Sequence, residues 1–397
     1  MEDITILYNL PATDVTIKNL QDSQLVNKWT GSALLEESTL HQISPYIGKM
    51  KSTMANALIK EFTNKGDTIY DPFCGSGTIA LESWILGRNI IANDLSPYAT
   101  TITKAKLFPI TSIENAITEI EEVSSEVEIL RKSIDLRRVP KWVRRFFHPE
   151  TLRETVAWCE VLKHKQSDFL LACLLGILHH QRPGFLSFPS SHTVPYLREK
   201  SFPRDVYADL YAYRSVKDRL ERKVKRALKR LPPSLNKNID RSCYMLDAAK
   251  YKPEAEIQAI ITSPPYMRQL DYGRDNRLRL WFLGSNDWKA LDHDISPNET
   301  NFFSTFRRCL SLWKNILAVT GKCVLVVGDS YSRQYKMRLP EVIEKIATEE
   351  VGGYCLDHSY TDQIPNNRRV RRDCSGNQHE TILILRCTKN NKLIINI

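Results

Sequence analysis

The fold is decided by the stretch Thr262-Ser263-Pro264-Pro265-Tyr266, which closes an apolar run over residues 257–261. The run is short, isoleucine-rich and bounded by two prolines, so it predicts a buried parallel strand that ends at Ser263. Proline has a fixed φ, lacks an N–H donor and holds the preceding residue extended. The end of the strand therefore presents a hydroxyl, backbone carbonyls and an aromatic ring in fixed positions. This arrangement suits a flat, amino-bearing ring. The alternative is a proline-rich turn with a core tyrosine.

A second stretch, at 71–78, indicates a cofactor turn. It reads Asp-Pro-Phe-Cys-Gly-Ser-Gly-Thr, follows a strand-like segment at 68–70 and opens a helical pattern over 79–86. Glycines between a strand and a helix let the backbone approach a ligand closely, and an acid at the strand end can pair with a cation. Gly-x-Gly alone is a weak signal. Combined with 262–266, it indicates one shared site.

Together the two stretches resemble the motifs of S-adenosylmethionine-dependent DNA amino-methyltransferases, which methylate N4 of cytosine or N6 of adenine. The resemblance covers Ser44 to about residue 103 and about residues 243 to 386. It implies an α/β fold with a Rossmann-like seven-stranded methyltransferase sheet, S-adenosyl-L-methionine as cofactor, and double-stranded DNA with a flipped target base as partner. It also implies a restriction-modification setting, with a possible cognate endonuclease.

Site residues follow from the same resemblance. The catalytic residues that it implies are Ser263, Pro264, Pro265 and Tyr266. The turn residues that it implies for cofactor binding are Asp71, Phe73, Cys74, Gly75, Gly77 and Thr78. Asp247, at the end of a third strand over 243–247, is placed where the family binds the amino group of the cofactor's adenine. Lys49 precedes the first strand and is placed at the methionine end, although an ordinary first helix explains it equally well.

Asp94 is predicted as a ribose ligand from its position. It ends a second strand over 89–94, and its spacing from Gly75 suits an acid that accepts hydrogen bonds from ribose hydroxyls. The competing role is the N-cap of the next helix. Ser96, followed by proline, is the better residue for that cap.

Composition narrows the class of protein. The chain has 397 residues and a formal net charge of +10, which favours a polyanionic partner. The nine cysteines show no Cys-x-x-Cys pair, so neither a metal site nor a disulfide framework is predicted. The start of the chain lacks a basic signal region, and the longest apolar run, 169–178, is too short to cross a membrane. These features predict a soluble protein of the cytoplasm.

Three regions are predicted: 1–103 and 238–397 as the two parts of the methyltransferase core, and 104–237 as an inserted, largely helical and basic domain. In the family, this motif order puts target recognition in the insert. Residues 137–147 interleave bases with aromatics and are predicted to bind nucleic acid, and 217–230 form either a second basic surface or a solvated helix face. The loop 181–192 is predicted to enter a groove or fill the gap left by an extruded base.

Downstream of the catalytic stretch, the sheet is predicted to continue. Helices are expected at 302–317 and 339–347, a strand at 322–328, and an antiparallel closing pair at 354–360 and 380–386. The polar, aromatic stretch 271–277 is interpreted as a gate near the target base. The arginine-rich loop 366–372 either contacts phosphate or is solvated. No function is predicted for residues 1–40, which form an arm or a capping strand.

The predicted reaction is direct methyl transfer to cytosine N4, because Ser263 is more typical of cytosine-N4 enzymes and Asp of adenine-N6 enzymes. Adenine-N6 transfer is the first alternative. An RNA guanine-N2 methyltransferase shares the 71–78 motif but usually carries Asp-Pro-Pro-Tyr and a separate N-terminal domain. A non-catalytic DNA-binding subunit is the remaining alternative. All of these require the ends of the first and fourth strands to lie side by side.

Overall fold

The computed structural model describes residues 26–29, 37–191, 194–232, 238–265, 267, 270–295, 298–364 and 378–388. Tyr266, His192 and the loop 366–372 lie outside the described residues, so the predictions about them remain predictions. In the described part of the chain, no helix combines the length and the apolarity that a membrane crossing needs.

Seven strands of the described chain form the main sheet. They are β1 (Thr68–Asp71), β2 (Asn89–Asn93), β3 (Arg241–Tyr244), β4 (Ile257–Thr262), β5 (Leu317–Gly328), β6 (Tyr354–Gln363) and β7 (His379–Cys387). Their order is β3-β2-β1-β4-β5-β7-β6, and the pairs are parallel except those that β7 makes. The predicted Rossmann-like methyltransferase sheet is confirmed, and so is the antiparallel closing pair. Because β1 pairs with β4, their carboxyl ends do lie side by side.

Helices cover both faces of the sheet. In chain order they are α1 (Ser52–Phe62), α2 (Thr78–Ile85), α3 (Pro97–Leu107), α4 (Ile113–Ser133), α5 (Lys141–Arg144), α6 (Pro149–His164), α7 (Asp168–Gly176), α8 (Val216–Ala227), α9 (Tyr272–Phe282), α10 (Trp288–Ile295), α11 (Glu299–Ile316) and α12 (Leu339–Lys345). Side chains alternate along each strand, so Ile261 and Val324 face α1, α2 and α3, whereas Ile260 and Leu325 face α11 and α12. Short 3₁₀ turns occur at Thr39–Gln42, Leu136–Arg138 and Ala208–Tyr211, and a π-helical turn at Ile346–Glu350 follows α12.

The insert is helical, as predicted, and it shares its core with the sheet. α4 packs on α6, and α7 packs on both α3 and α8. Its buried Trp158 and Leu220 belong to the same apolar cluster as Ile69 of β1. Burial of such side chains contributes about 1.5–3 kcal/mol each. The boundary predicted at residue 104 falls inside α3, because that helix continues to Leu107, whose side chain is buried.

Two nucleic-acid predictions for the insert need correction. In 137–147 the Lys and Arg side chains are exposed, but Phe146 and Phe147 are buried in the core. The two phenylalanine rings therefore do not stack on nucleotide bases. In the loop 181–192, Phe188 is buried, Phe185 stacks on His180, and the exposed part is 181–184. Aromatic residues in basic stretches can equally serve as core anchors, and the sequence does not distinguish these two roles.

Candidate active site

A cleft of about 1040 Å³, counted with its part open to solvent, lies at the carboxyl ends of β1, β2 and β4. The predicted site residues that line it are Lys49, Asp71, Phe73, Cys74, Gly75, Thr78, Asp94, Asp247, Ser263, Pro264 and Pro265. Folding therefore brings the cofactor turn and the catalytic stretch to one cavity. Their chemical roles stay predictions.

Asp71 links the two strand ends. Its carboxylate accepts a hydrogen bond of 2.7 Å from the Thr262 hydroxyl, one residue before Ser263. Both side chains are buried. Burial raises the pKa of Asp71 to about 7, although hydrogen bonds from Thr262 and the Phe73 backbone oppose the shift. The residue that begins the cofactor turn is thus tied directly to the strand that carries the catalytic stretch.

Asp94 shapes the turn as well as lining the cleft. Its two carboxylate oxygens accept 2.9 Å hydrogen bonds from the backbone N–H groups of Gly75 and Ser96. Burial raises its pKa to about 6. Ser96 caps α3 through its own hydroxyl, as expected. Because each carboxylate oxygen has a second lone pair, Asp94 can still accept a hydrogen bond from a ribose hydroxyl.

Gly77 differs from its prediction, because it does not line the cleft. It has a φ of +68° and lies at the N-cap of α2. A Cβ added there would lie 2.7 Å from the Thr103 hydroxyl oxygen and 3.0 Å from the Thr103 Cα. The turn therefore needs this glycine for its left-handed backbone and for close packing on α3. Gly75, with a φ of +48°, is the glycine that faces the cavity.

Ser263 has a fixed hydroxyl. The group donates to the backbone carbonyl of Val326, in β5, at 3.1 Å. With its single proton used there, the oxygen can only accept hydrogen bonds from a ligand. That is the property that an amino group would require of it.

Asp247 and Lys49 also line the cleft. β3 ends at Tyr244, so Asp247 lies in the following loop and not at a strand end as predicted. Its carboxylate accepts from the backbone N–H of Ala249 and lies 3.4 Å from the Lys250 ammonium. Lys49 donates to the backbone carbonyl of His41 at 2.7 Å.

Two tyrosines that are not among the predicted catalytic or cofactor-binding residues also line the cleft. Tyr46 and Tyr272 line the cavity with ring centroids 6.2 Å apart. Tyr46 also packs against the turn, since a Cβ on Gly75 would lie 3.2 Å from its ring. Tyr272 opens α9, so the stretch 271–277 that is interpreted as a gate near the target base is helical from Tyr272 onward. The helix buries Asp275 and Arg279, polar residues that obscure its pattern in the sequence.

Two further polar residues make hydrogen bonds to the backbone of segments that line the cleft. Asn93, at the end of β2, donates to the carbonyls of Pro72 and Leu246 and accepts from the Leu246 N–H. Lys106, fully buried in α3, donates to the Ser76 carbonyl at 2.5 Å. The sequence signal for Asn93 is its position between a strand and an acid; Lys106 has no comparable signal, because α3 also contains Lys104.

The raised carboxyl pKa of Asp71 predicts a pH-dependent affinity for a cationic ligand. Below about pH 7 the empty site favours the neutral acid, so a bound cation must displace a proton. Cofactor affinity should fall as pH decreases from 8 to 6, by at most about tenfold per unit for one proton. Titration calorimetry in buffers of different ionisation enthalpy measures both the affinity and the proton release. In Asp71→Asn the profile should flatten; an unchanged profile would assign the proton to another group.

Comparison with known families addresses the cofactor half of the site. Residues 13–105 match the model of the N6/N4 DNA methylase family. This segment contains β1, the turn 71–78 and Asp94. This part of the chain is therefore similar to the N6/N4 DNA methylase family.

Two curated methylases match a similar share of the chain. The type II methyltransferase M.MjaII of Methanocaldococcus jannaschii is 40% identical over 68 residues, which are 17% of this chain and 13% of that protein. The type II methyltransferase M.BsoBI of Geobacillus stearothermophilus is 38% identical over 74 residues, 18% of this chain and 14% of that protein. The chain thus spans about one seventh of the length of these relatives.

Among solved structures, TrmN from Thermus thermophilus is 12% identical, with a TM-score of 0.33, over 86% of this chain and 50% of that one. The fold assignment rests instead on the strand order and directions described above.

The cofactor that the similarity of residues 13–105 implies is S-adenosyl-L-methionine, and the described residues fit it. Asp71 offers a carboxylate to an ammonium group, and Asp94 offers acceptors to ribose hydroxyls. Gly75 presents backbone without a side chain, in a position where a Cβ would press on Tyr46. A cavity of this size is ample for a nucleoside-sized ligand.

Proposed function

We propose that this protein transfers a methyl group to the exocyclic N4 of cytosine in DNA. The observation that supports the proposal best is the fixed hydroxyl of Ser263, which has an accepting oxygen in a cleft shared with the cofactor turn. An acceptor held in the plane of a base is what an amino group needs. Serine at this position is, by resemblance, more typical of cytosine-N4 enzymes.

Each catalytic residue then has a defined task. When bound, S-adenosyl-L-methionine would supply a methyl group from its positively charged sulfur: the sulfur–methyl bond breaks as the nitrogen–methyl bond forms, a neutral thioether leaves, and the amine loses one proton to water. The lone pair of the target amine is delocalised into its ring, so the amine is a poor nucleophile. Ser263 Oγ and the Pro264 carbonyl accept hydrogen bonds from the NH₂ group and favour sp³ character at nitrogen, while Tyr266 stacks on the ring. Positioning and charge stabilisation of this kind supply much of the reduction in barrier.

Cysteine chemistry has no part in the proposal. Cys74 lines the cleft, but burial raises the pKa of its thiol well above the usual value. A buried neutral thiol is a weak nucleophile. Attack on a ring carbon is therefore disfavoured, and direct transfer to an exocyclic amine is preferred.

The proposed substrate is double-stranded DNA with the target base extruded into the cleft. Extrusion costs about a few kcal/mol, which contacts between the protein and the DNA must offset. The type II names of the relatives support a restriction-modification setting, with a cognate endonuclease as possible partner.

Nucleoside analysis tests the proposal. Plasmid DNA is incubated with the purified protein and S-adenosyl-L-methionine, then digested and analysed by mass spectrometry, with Asp71→Asn as the inactive control. N4-methylcytosine is the expected product, and modification-sensitive sequencing would give the site. N6-methyladenine alone would overturn the choice of base within the same class. Methylated guanine in an RNA substrate would indicate the RNA enzyme, and cofactor binding without transfer would indicate the non-catalytic subunit.

A further inference from the structure

The exposed cations around α5 form a strip that is not neutralised locally. Residues 136–147 contain five Lys and Arg side chains and no acid. Val139, Val143, Phe146 and Phe147 face the core and thereby turn the cations outward. Arg137 pairs with Asp135 at 2.9 Å. Within the described part of the chain, Arg138, Lys141, Arg144 and Arg145 make no ion pair.

A surface with exposed tyrosines continues this cationic strip. The Phe146 carbonyl accepts from the Phe188 N–H at 2.6 Å, and the Phe188 ring contacts Tyr211 at 4.9 Å under the Arg204 guanidinium. His148 likewise contacts Tyr213 at 6.1 Å. The segment 194–214 therefore lies against the strip. Its exposed tyrosines are Tyr196 at 56%, Tyr207 at 42% and Tyr213 at 46% exposure.

One arginine connects this surface to the cleft. Arg277 lies 5.9 Å from the Trp142 ring centroid, and its guanidinium donates to the Pro195 carbonyl. It belongs to α9, which begins at the cleft residue Tyr272. Five residues of helix span about 7.5 Å. Along a DNA duplex, with about 3.4 Å per base pair, this distance from Tyr272 to Arg277 corresponds to roughly two base pairs.

We propose that the cationic strip, with the adjoining tyrosines, holds the phosphate backbone of duplex DNA beside the target base. This inference rests on the proposed function. Phosphates need exposed charge and hydroxyl donors. This surface offers the cations of the strip and the exposed Tyr196 and Tyr207, whereas the Tyr213 hydroxyl donates to Glu154 at 2.8 Å. The basic helix α8 fits less well, because its Lys217 pairs with Glu121 and its Lys223 donates to the Gln42 carbonyl. Backbone contacts carry no sequence information, so the strip serves affinity and not base choice.

The test variant is Arg144→Gln/Arg145→Gln, and the matched control is Lys65→Gln/Lys252→Gln. The control residues are also exposed cations, but they precede β1 and β4 at the opposite edge of the sheet. Fluorescence anisotropy with target and non-target duplexes is measured across a salt series. The test variant should bind both duplexes about tenfold more weakly, with a salt slope smaller by about 1.8 for two lost phosphate contacts.

Cofactor affinity and melting temperature should match the wild type in both variants, because the four side chains are exposed. The KM for DNA should rise in the test variant with kcat retained. If the test variant has the same DNA affinity and the same salt slope as the control, the proposal that the cationic strip binds DNA phosphates is wrong. A wild type that binds DNA but transfers no methyl group would instead contradict the proposed function, so the two failures are distinguishable.

Discussion

Ser263→Ala is expected to lower kcat by about 10²-fold, the loss typical of removing one preorganised polar contact to a reacting group. The reason is the fixed hydroxyl: its proton goes to the Val326 carbonyl, and its oxygen is the acceptor that the cleft offers at the end of β4. The cofactor turn does not depend on this contact. The dissociation constant for S-adenosyl-L-methionine should therefore stay within about twofold. Single-turnover methylation and calorimetry measure the two quantities separately.

Ser124→Ala is the matched control for this prediction. Ser124 also donates to a backbone carbonyl, that of Ile120, but it lies in α4 of the insert. Losing such a hydrogen bond costs about 0.5–1.5 kcal/mol of stability, and in α4 the better helix propensity of alanine offsets part of that cost. A kcat of Ser263→Ala within threefold of the control would show that Ser263 is structural and does not contact the amine.

Gly77→Ala should abolish cofactor binding at ordinary cofactor concentrations by deforming the turn. A side chain at positive φ costs about 1–2 kcal/mol, and overpacking adds about 1–3 kcal/mol. The added methyl group would press on the Thr103 hydroxyl and backbone, and the backbone cannot move without shifting α3. Cofactor titration followed by fluorescence or calorimetry reports the loss, and thermal unfolding reports the strain.

Gly66→Ala is the control that separates the steric clash with Thr103 from the backbone strain of a positive φ. Gly66 has a φ of +87°, but a Cβ added there meets nothing within 4 Å. Gly66→Ala should therefore lose some stability yet bind the cofactor like the wild type. The same substitution at both positions then separates the backbone penalty from the contact with Thr103. Equal cofactor affinities in the two variants would contradict the claim that close packing of Gly77 on Thr103 shapes the cofactor turn.

Most strands were predictable because their pattern is local. Residues 257–261 and 322–328 are mostly apolar, with Gln258 and Lys322 as the exceptions, and such runs are typical of buried parallel strands. Both predictions are confirmed by β4 and β5. The turn 71–78 was predictable for a similar reason. Its glycines occur where a strand meets a helix, and one of them, Gly75, lines the cleft.

α9 was not predictable from periodicity. Asp275, Asn276 and Arg279 are buried in it, so polar residues occupy both its faces. Partners elsewhere in the chain make this burial possible: Arg279 donates to the carbonyl of Leu175, which lies in α7 of the insert. A sequence pattern cannot reveal a polar residue that is buried through a partner about a hundred positions away.

By itself, the sequence determined the class of sheet, the cofactor turn and the stretch that closes β4, because each depends on neighbours in the chain. The tertiary structure alone decided that Asp71 bonds to Thr262, that Tyr46 and Tyr272 complete the cleft wall, and that Gly77 packs on α3 instead of facing the cavity. These contacts join segments far apart in sequence. They follow from which elements pack together, and local propensity carries no information about that.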